Sequence, residues 1–471
     1  MAVTASDLTV IVGLARSGIG AARLLHQLGR PVLVIDNRQD PELEAKAADL
    51  RQLGIAVRLG VPLSSGSFAA LDTPPAAVVV SPGIRWDHPT LETLRRQGIA
   101  TVGELSLAWQ ASSGVPWIGI TGTNGKTTVT HLVSHLFQHG GLDAPMGGNV
   151  GFSAAELVLE RVQLGAREPD WLVMELSSYQ IEAAPQVAPQ IGIWTTLTPD
   201  HLERHGSLEA YRAIKRGLVE RSAVRILNAD DPDLRAHASS WDRATWISAG
   251  PREALPATIT PSLWIENGQV MVISEQGACQ PGTALMPADC LAMPGEHNRQ
   301  NLLLAAAAGL AAGLSGAQME AAFRAFPGVP HRLERLREAL GITYYNDSKA
   351  TNYDAAEVAI YALDAPLVVL AGGESKQGNP AGWIAALRQK AAAVVLFGAA
   401  QAEFKQLLTA AEFPGEVHCC EGLESAVPLA AQLAHTHQCA GVLLSPACAS
   451  FDQYSDFEAR GDHFRQLVAA L

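Results

Sequence analysis

The chain has 471 residues, 48% hydrophobic and 17% charged, with a formal net charge of −13. At roughly 100–200 residues per domain this length supports two to four domains with a sizeable core, and the composition excludes a disordered or low-complexity protein. The acidic balance argues against a nucleic-acid or anionic-membrane surface, which needs clustered Lys and Arg, but leaves room for a small anionic ligand held by local backbone donors. The six cysteines, Cys279, Cys290, Cys419, Cys420, Cys439 and Cys448, form no C-x-x-C pair and read as reduced thiols. The opening MAVTASDLTVIVG runs straight into a strand pattern without a basic region, so no signal peptide is expected. No apolar run of about 18 residues occurs, so no membrane span is expected either. A cytoplasmic monomer with no nucleic-acid or membrane partner is the expectation.

Short apolar runs alternate with helical stretches along the chain. Buried-type strands are predicted at 9–13, 32–36, 77–81, 117–121, 171–176, 191–197, 224–228, 366–372, 393–398 and 441–445. Continuous apolar strands bounded by Gly, Pro or polar residues suit parallel sheets covered on both faces, so the fold class is α/β. Three domains are expected, over 1–111, 112–328 and 329–471, with a Pro-Gly-Val-Pro hinge at 327–330 before the third. The turn-rich stretch 251–287 reads as a small antiparallel insert in the central domain.

Two strand–loop–helix units carry the phosphate chemistry. The stretch TVIVGLARSGIGAARLLHQLGRPVLVID (9–36) approaches a dinucleotide fingerprint, with Asp36 about 20 residues on, but Ala15 replaces the middle glycine. It reads either as a nucleotide-diphosphate loop, with Asp36 and Arg38 at the base or ribose, or as a packed turn. The turn Ser81-Pro82-Gly83-Ile84 ends another predicted strand, where ligands bind in open α/β sheets. The second unit is WIGITGTNGKTTVT (117–130). Its Gly122, Thr123, Asn124, Gly125, Lys126, Thr127 and Thr128 suit backbone cradling of phosphates, Lys126 on the β/γ-phosphates and Thr127 on Mg²⁺. It departs from the common P-loop, because Ile120 stands where a glycine is usual.

Downstream, Glu175 ends a predicted strand and is either a Mg²⁺ partner or a cap for the next helix. Asp200 and His201 follow another strand end; His201 is either a metal ligand or a satisfied structural histidine. Lys215 lies on the polar helical stretch 207–221, where a lysine is ordinarily solvated. Asn298 and Asn301, three apart on one helical face, either read an adenine edge or serve as a cap. Past the hinge, Arg332 is either a phosphate clamp or a surface ion-pair partner. The loop Asn346-Asp347-Ser348-Lys349-Ala350-Thr351-Asn352 packs acid, hydroxyl, cation and amide together. It should converge with Gly372–Lys376 and with 445–452 on one strand-end cleft. Cys448 has no His or Asp motif beside it and reads as packing.

Two readings from other classes are open on these motifs: a nicotinamide dehydrogenase on the N-terminal loop and a P-loop switch without an acceptor. The motifs GTNGKTT, GNVG, ELSSYQ, TPDHLERH, YRAIK, NADD, GEHNRQN, HRLE, NDSKATN, GGESK and LSPACASFDQ occur in one order over essentially the whole chain. Together they resemble the Mur ligase family, and NDSKATN and LSPACASFDQ resemble its D-glutamate-adding branch.

The resemblance implies a Rossmann-like N-terminal domain, a central P-loop ATPase-type sheet and a Rossmann-like C-terminal domain. It implies ATP-dependent addition of D-glutamate to UDP-N-acetylmuramoyl-L-alanine through an acyl phosphate, in cell-wall precursor synthesis, with two Mg²⁺ sites. Carried over, Lys126 contacts the transferred phosphoryl group, Thr127 and Glu175 hold one Mg²⁺, and His201 with a carbamylated Lys215 serves a second. Asn298, Arg332 and Asp347 face ATP. Ser17 and Asn149 lie by the diphosphate, Asp36 and Arg38 hold the uracil end, and Gly83 also binds the UDP-linked substrate. Lys349, Thr351, Lys376, Ser450, Phe451 and Phe457 shape the D-glutamate site; the family often has Leu where Phe451 stands.

Overall fold

The structure, a computed structural model, describes residues 8–165, 167–250, 252, 255–273, 282–293, 295, 297–375 and 378–471. Among these residues the strands form three sheets. The first comprises β1 (Thr9–Val12), β2 (Val32–Ile35), β3 (Ala56–Arg58), β4 (Ala77–Val80) and β5 (Ala100–Gly103), all parallel in the order β3-β2-β1-β4-β5. Each of the ten predicted strands lies within a few residues of an observed one. The missed β3 and β5 are sheet edges of three and four residues with exposed positions, so they carry no continuous apolar run.

The second sheet is built on β6 (Trp117–Thr121), β7 (Met146–Gly148), β8 (Leu172–Glu175), β9 (Ile191–Trp194), β10 (Val224–Asn228) and β11 (Ala244–Ser248), which run parallel. Its order, with β12 (Leu263–Glu266), β13 (Gln269–Val272) and β14 (Thr283–Pro287), is β14-β13-β12-β11-β10-β9-β6-β8-β7. The expected antiparallel insert is present as β12–β13–β14, but it is not a separate layer. β12 pairs parallel with β11, so the insert extends the edge of the central sheet. Two helices, Lys126–His139 and His297–Ala311, pack together over this sheet. Their Val129, Leu132, Val133, Leu136, Leu303 and Ala306 are buried with Ile118, Ile193 and Ile226. The Ala/Leu-rich second helix has every position from Leu302 to Gly309 buried, which is why that stretch lacks a polar face.

The first two sheets are joined closely. A Cβ on Gly20 would stand 2.3 Å from Ser153 Oγ, so the helix Arg16–Gln27 can pack on the helix Ala154–Val158 only with glycine there. Arg23 pairs with Glu156 (2.9 Å) and Glu160 (3.2 Å), and Gly103 N donates to Ala183 O.

One compact unit holds both sheets and ends at Phe326; a second begins at Pro327 and also takes in the short piece Met293–Gly295. The second unit holds β15 (Glu334–Ala339), β16 (Ile342–Asn346), β17 (Leu367–Gly372), β18 (Ala391–Phe397), β19 (Glu416–Cys420) and β20 (Gly441–Leu444), in the order β15-β16-β20-β17-β18-β19. Only the β15–β16 hairpin is antiparallel. Its two-residue turn takes Leu340 and Gly341 to φ +53° and +76°, as a primed hairpin turn requires. Among the described residues no helix is long and apolar enough to cross a membrane.

Candidate active site

A cleft of about 910 Å³ lies within the first unit, between the strand ends of the first sheet and those of the second. On the first-sheet side, order reverses between β1 and β4, the crevice where open parallel sheets bind ligands. Gly13 leaves β1 at φ +100°, and a Cβ there would meet Ser81 Oγ at 2.8 Å. Gly18 is as constrained: its Cβ would fall 1.9 Å from Gly13 O. The loop is therefore as tight as a phosphate loop although Ala15 breaks the fingerprint. Ser17, Gly83 and Arg38 line this side of the cleft. Asp36 also lines it, but its carboxylate is occupied by the loop itself, accepting from Leu14 N (2.8 Å) and Arg38 N (2.9 Å).

On the second-sheet side the phosphate loop leaves β6. Gly122 has φ +150° and no room for a Cβ, which would fall 1.9 Å from Thr195 Oγ1; Gly125 sits at φ +82° before the helix. Asn124 N donates to Thr196 Oγ1, and Thr123 Oγ1 donates to Thr198 O. The loop after β9 thus braces the loop after β6. Lys126 turns back over the loop, donating to Gly122 O (3.0 Å) and Thr123 O (2.9 Å). Thr127 and Thr128 follow in the first helical turn, Thr127 half-buried and Thr128 buried.

Glu175, the last residue of β8, is buried. Its Oε1 accepts from Asn149 Nδ2 (2.8 Å), while Oε2 is buried with no hydrogen-bond partner among the described residues. The capping alternative does not hold, because Ser177 and Gln180 form the box that caps the next helix. His201 takes φ +52° at the start of a short helix, beside Asp200 (3.3 Å) and the Tyr179 ring. Lys215 departs furthest from its sequence reading. The helix Leu208–Arg221 forms as expected, yet this lysine is 1% exposed, donates to Gly122 O (2.9 Å) and lies over the Tyr211 ring. Burial, and then the Lys126 cation, hold its ammonium well below the usual lysine range, with Asp200 pulling the other way. Lys126, Asn149, His201 and Lys215 all line the same cleft. Asn298 is not a cap: it lies in the first turn of its helix, buried, accepting from Asn301 Nδ2 (2.9 Å).

Among the described residues no three His, Cys, Asp or Glu side chains form a metal-binding group. The residues expected to hold Mg²⁺ bring instead a hydroxyl, a carboxylate, an imidazole and, only if carbamylated, a lysine. The unpartnered Glu175 Oε2 is the observation that fits a cation, since a buried carboxylate oxygen without a donor is costly.

In the second unit, Asp347 follows β16, buried, accepting from Leu333 N (3.1 Å) and Ser445 Oγ (3.1 Å). Burial raises its pKa to about 7 against those donors and the Arg332 cation. Arg332 makes no ion pair among the described residues, and its Nε is buried without a partner. Lys349 lies over the Phe457 ring (4.9 Å), Thr351 is half-buried, Ser450 is buried and Phe451 is 69% exposed. Lys376 lies outside the described residues, as does Cys279. Cys448 is buried, in keeping with packing.

Three groups were not singled out from sequence. Arg460, fully buried, donates to Ser348 Oγ and O and to the carbonyls of Cys448 and Ala449, tying the loop after β16 to the loop after β20. An arginine inside a helix carries no sequence signal of this. Thr195 and Thr196 brace the phosphate loop, and Arg16 reaches the Asn149–Gly151 turn.

Three family models cover most of the chain: a "Mur ligase MurD-like, N-terminal domain" over 7–103, a "Mur ligase middle domain" over 120–309, and a "Mur ligase, glutamate ligase domain" over 331–448. The chain belongs to the Mur ligase family. Relatives of this Mur ligase include proteins named UDP-N-acetylmuramoylalanine–D-glutamate ligase from Prochlorococcus marinus (strain MIT 9313) and Synechococcus sp. (strain CC9605). Each is 57% identical and matched over 98% of both chains. Among solved structures, a UDP-N-acetylmuramate-alanine ligase from Thermotoga maritima matches with TM-score 0.56 at 19% identity, over 98% of this chain and 99% of that one. MurF from Acinetobacter baumannii matches with TM-score 0.58 at 16% identity, over 98% and 93%. At such identities these two speak to the Mur ligase fold alone.

Proposed function

We propose that this Mur ligase joins D-glutamate to UDP-N-acetylmuramoyl-L-alanine with ATP, releasing ADP and phosphate, as a step of peptidoglycan precursor synthesis. The observation that carries this reading is the end-to-end identity of 57% to ligases of that name. The cleft supports it, because one cavity joins a nucleotide-type loop after β1 to a phosphate loop after β6. A carboxylate is a poor electrophile, so one carboxylate oxygen of the alanyl group attacks the γ-phosphorus of ATP and ADP leaves. The amine of D-glutamate then attacks the carbonyl carbon of the acyl phosphate, loses a proton, and phosphate departs as the amide forms.

In this reading Lys126 contacts the transferred phosphoryl group and Gly122–Thr128 cradle the ATP phosphates. Asn298, Arg332 and Asp347 belong to the ATP side. Ser17, Gly83 and Asn149 take the diphosphate, with Asp36 and Arg38 at the uracil end. Asp36 acts there by shaping the loop through Leu14 and Arg38. Lys349, Thr351, Lys376, Ser450, Phe451 and Phe457 form the D-glutamate side. Thr127, Glu175, His201 and a carbamylated Lys215 would hold two Mg²⁺ ions, which offset negative charge on the phosphates. Carbamylation needs an uncharged amine, and the burial of Lys215 favours that form. Domains spanning 1–111, 112–328 and 329–471, and a cytoplasmic monomer, are part of the same proposal.

Phosphate release from ATP should appear only when UDP-N-acetylmuramoyl-L-alanine and D-glutamate are both present, with a product heavier by one glutamyl residue. Turnover with a different amino acid keeps the ligase chemistry and discards the D-glutamate assignment. No turnover with any amino acid overturns the proposal.

A further inference from the structure

Arg16 opens the helix that follows the loop expected to face a diphosphate, yet its side chain turns away from that loop. It crosses to the second sheet and donates to Gly151 O (2.9 Å) and Asn149 O (3.4 Å), 135 and 133 positions away. Those two bonds use one N–H on each terminal nitrogen, so three of its five N–H groups remain. The side chain is exposed to the cleft it lines. Several other arginines of the first unit are neutralised by acids, as Arg23, Arg51 and Arg85 are by Glu156, Glu44 and Asp87. Arg16 makes no ion pair among the described residues. The acid that faces it electrostatically, Glu104, is fully buried and holds its proton up to about pH 7. Asp36, at the neighbouring strand end, is spent on Leu14 N and Arg38 N. A cation kept unpaired in a cleft is the condition for recognising an anion.

We propose that Arg16 is a specificity-determining residue for the second phosphate of the nucleotide-linked substrate. It holds the Asn149–Gly151 turn with two N–H groups and presents the rest to the diphosphate. This rests on reading the cleft as the site of a UDP-linked substrate. β1 lies between β2, whose end carries Asp36, and β4, whose end carries Ser81. A nucleoside anchored by Asp36 and Arg38 would set its first phosphate on the β1 loop. The second would then fall toward the turn that Arg16 reaches. The same turn presents Asn149, which donates to Glu175, so the contact also links substrate binding to the carboxylate beside the phosphate loop.

The test uses UDP and UMP as probes with the full chain. Dissociation constants of both are measured for the unaltered protein and for Arg16→Gln and Arg16→Lys. The expected result is that Arg16→Gln lowers the preference for UDP over UMP about tenfold or more, the usual worth of a charged hydrogen bond. Arg16→Lys should keep part of it. The KM for the UDP-linked substrate should rise in parallel, while that for ATP moves less than about twofold. Equal weakening of UDP and UMP would make Arg16 a brace only and overturn the proposal, as would an unchanged preference. Melting temperatures of both variants separate these outcomes from misfolding, and the Arg16→Lys preference decides between them where Arg16→Gln melts early. The probes do not involve D-glutamate. A lost UDP preference in a protein without D-glutamate-dependent turnover would leave this inference standing and sink only the assigned reaction.

Discussion

At the scale of single residues, burial decides which groups can do chemistry, and burial is what one sequence conceals. Lys215 sits among Arg212, Arg216 and Glu220 on a helix that reads as solvated, yet its own side chain turns inward beside Gly122. Lys215→Ala should lose nearly all ligase activity, with partial recovery in short-chain carboxylates such as acetate, because these can replace a carbamate as metal ligand. Near-normal activity of the variant would remove the carbamate from the proposal. Arg460 makes the same point. Burial lowers its guanidinium to about pKa 10, so it stays charged at neutral pH while four of its five N–H groups donate to Ser348, Cys448 and Ala449. Arg460→Met strands those acceptors, so urea denaturation should show about 3 kcal/mol of lost stability. Arg460→Lys should be milder, raising the KM for D-glutamate more than that for ATP, since the loops it joins are those assigned to the amino acid.

At the scale of elements, the strand ends carry the site and the close approach of loops sets its shape. The parallel strands were legible because burial on both faces leaves continuous apolar runs, as in the all-buried β6, β8 and β9. The edges were not: β15 reads ERLREA, a mostly polar strand that exists because β16 pairs with it. The glycines of the phosphate loop were legible as a motif, but their reason is tertiary. Gly122 is required by Thr195, a residue of the loop after β9. Gly122→Ala should therefore cut ATP-dependent turnover at least a hundredfold and lower the melting temperature. Gly29→Ala is a useful contrast. With φ +70° and nothing within 4 Å of its Cβ, it should cost only about 1 kcal/mol and leave turnover intact.

At the scale of the whole molecule, the junction between the first two sheets buries a carboxylate. Glu104 accepts from Ala155 N at the start of the helix Ala154–Val158, and its Oε2 has no hydrogen-bond partner among the described residues. Burial raises its pKa to about 7, against an ordinary 4.5. The folded state then binds more protons than the unfolded chain between those values. Stability from this group is thus full below about pH 4.5 and is lost as pH rises toward 7. Glu104→Gln mimics the protonated form. It should raise the melting temperature relative to the unaltered protein at pH 8, and do so much less at pH 5. An equal effect at both would show that the carboxylate carries no such penalty. Asp347, also raised to about 7, should act in the same direction in the second unit, while His205, held near 4 chiefly by burial, opposes both by favouring the folded state as pH rises from about 4 to 6.5.

The order of motifs, the α/β class and the residue types of the phosphate loop follow from the sequence, because phosphate cradling and buried parallel strands each need a local pattern. The partner of each polar group does not. That one Glu175 oxygen has no partner among the described residues, that Asp36 caps Leu14 N of the β1 loop, that Arg16 spans two sheets and that Lys215 is buried all depend on segments tens to more than a hundred residues apart. Only the tertiary structure decides those contacts. Hydrogen bonding and desolvation are set by what stands beside a side chain in space, and a local pattern does not encode its distant neighbours.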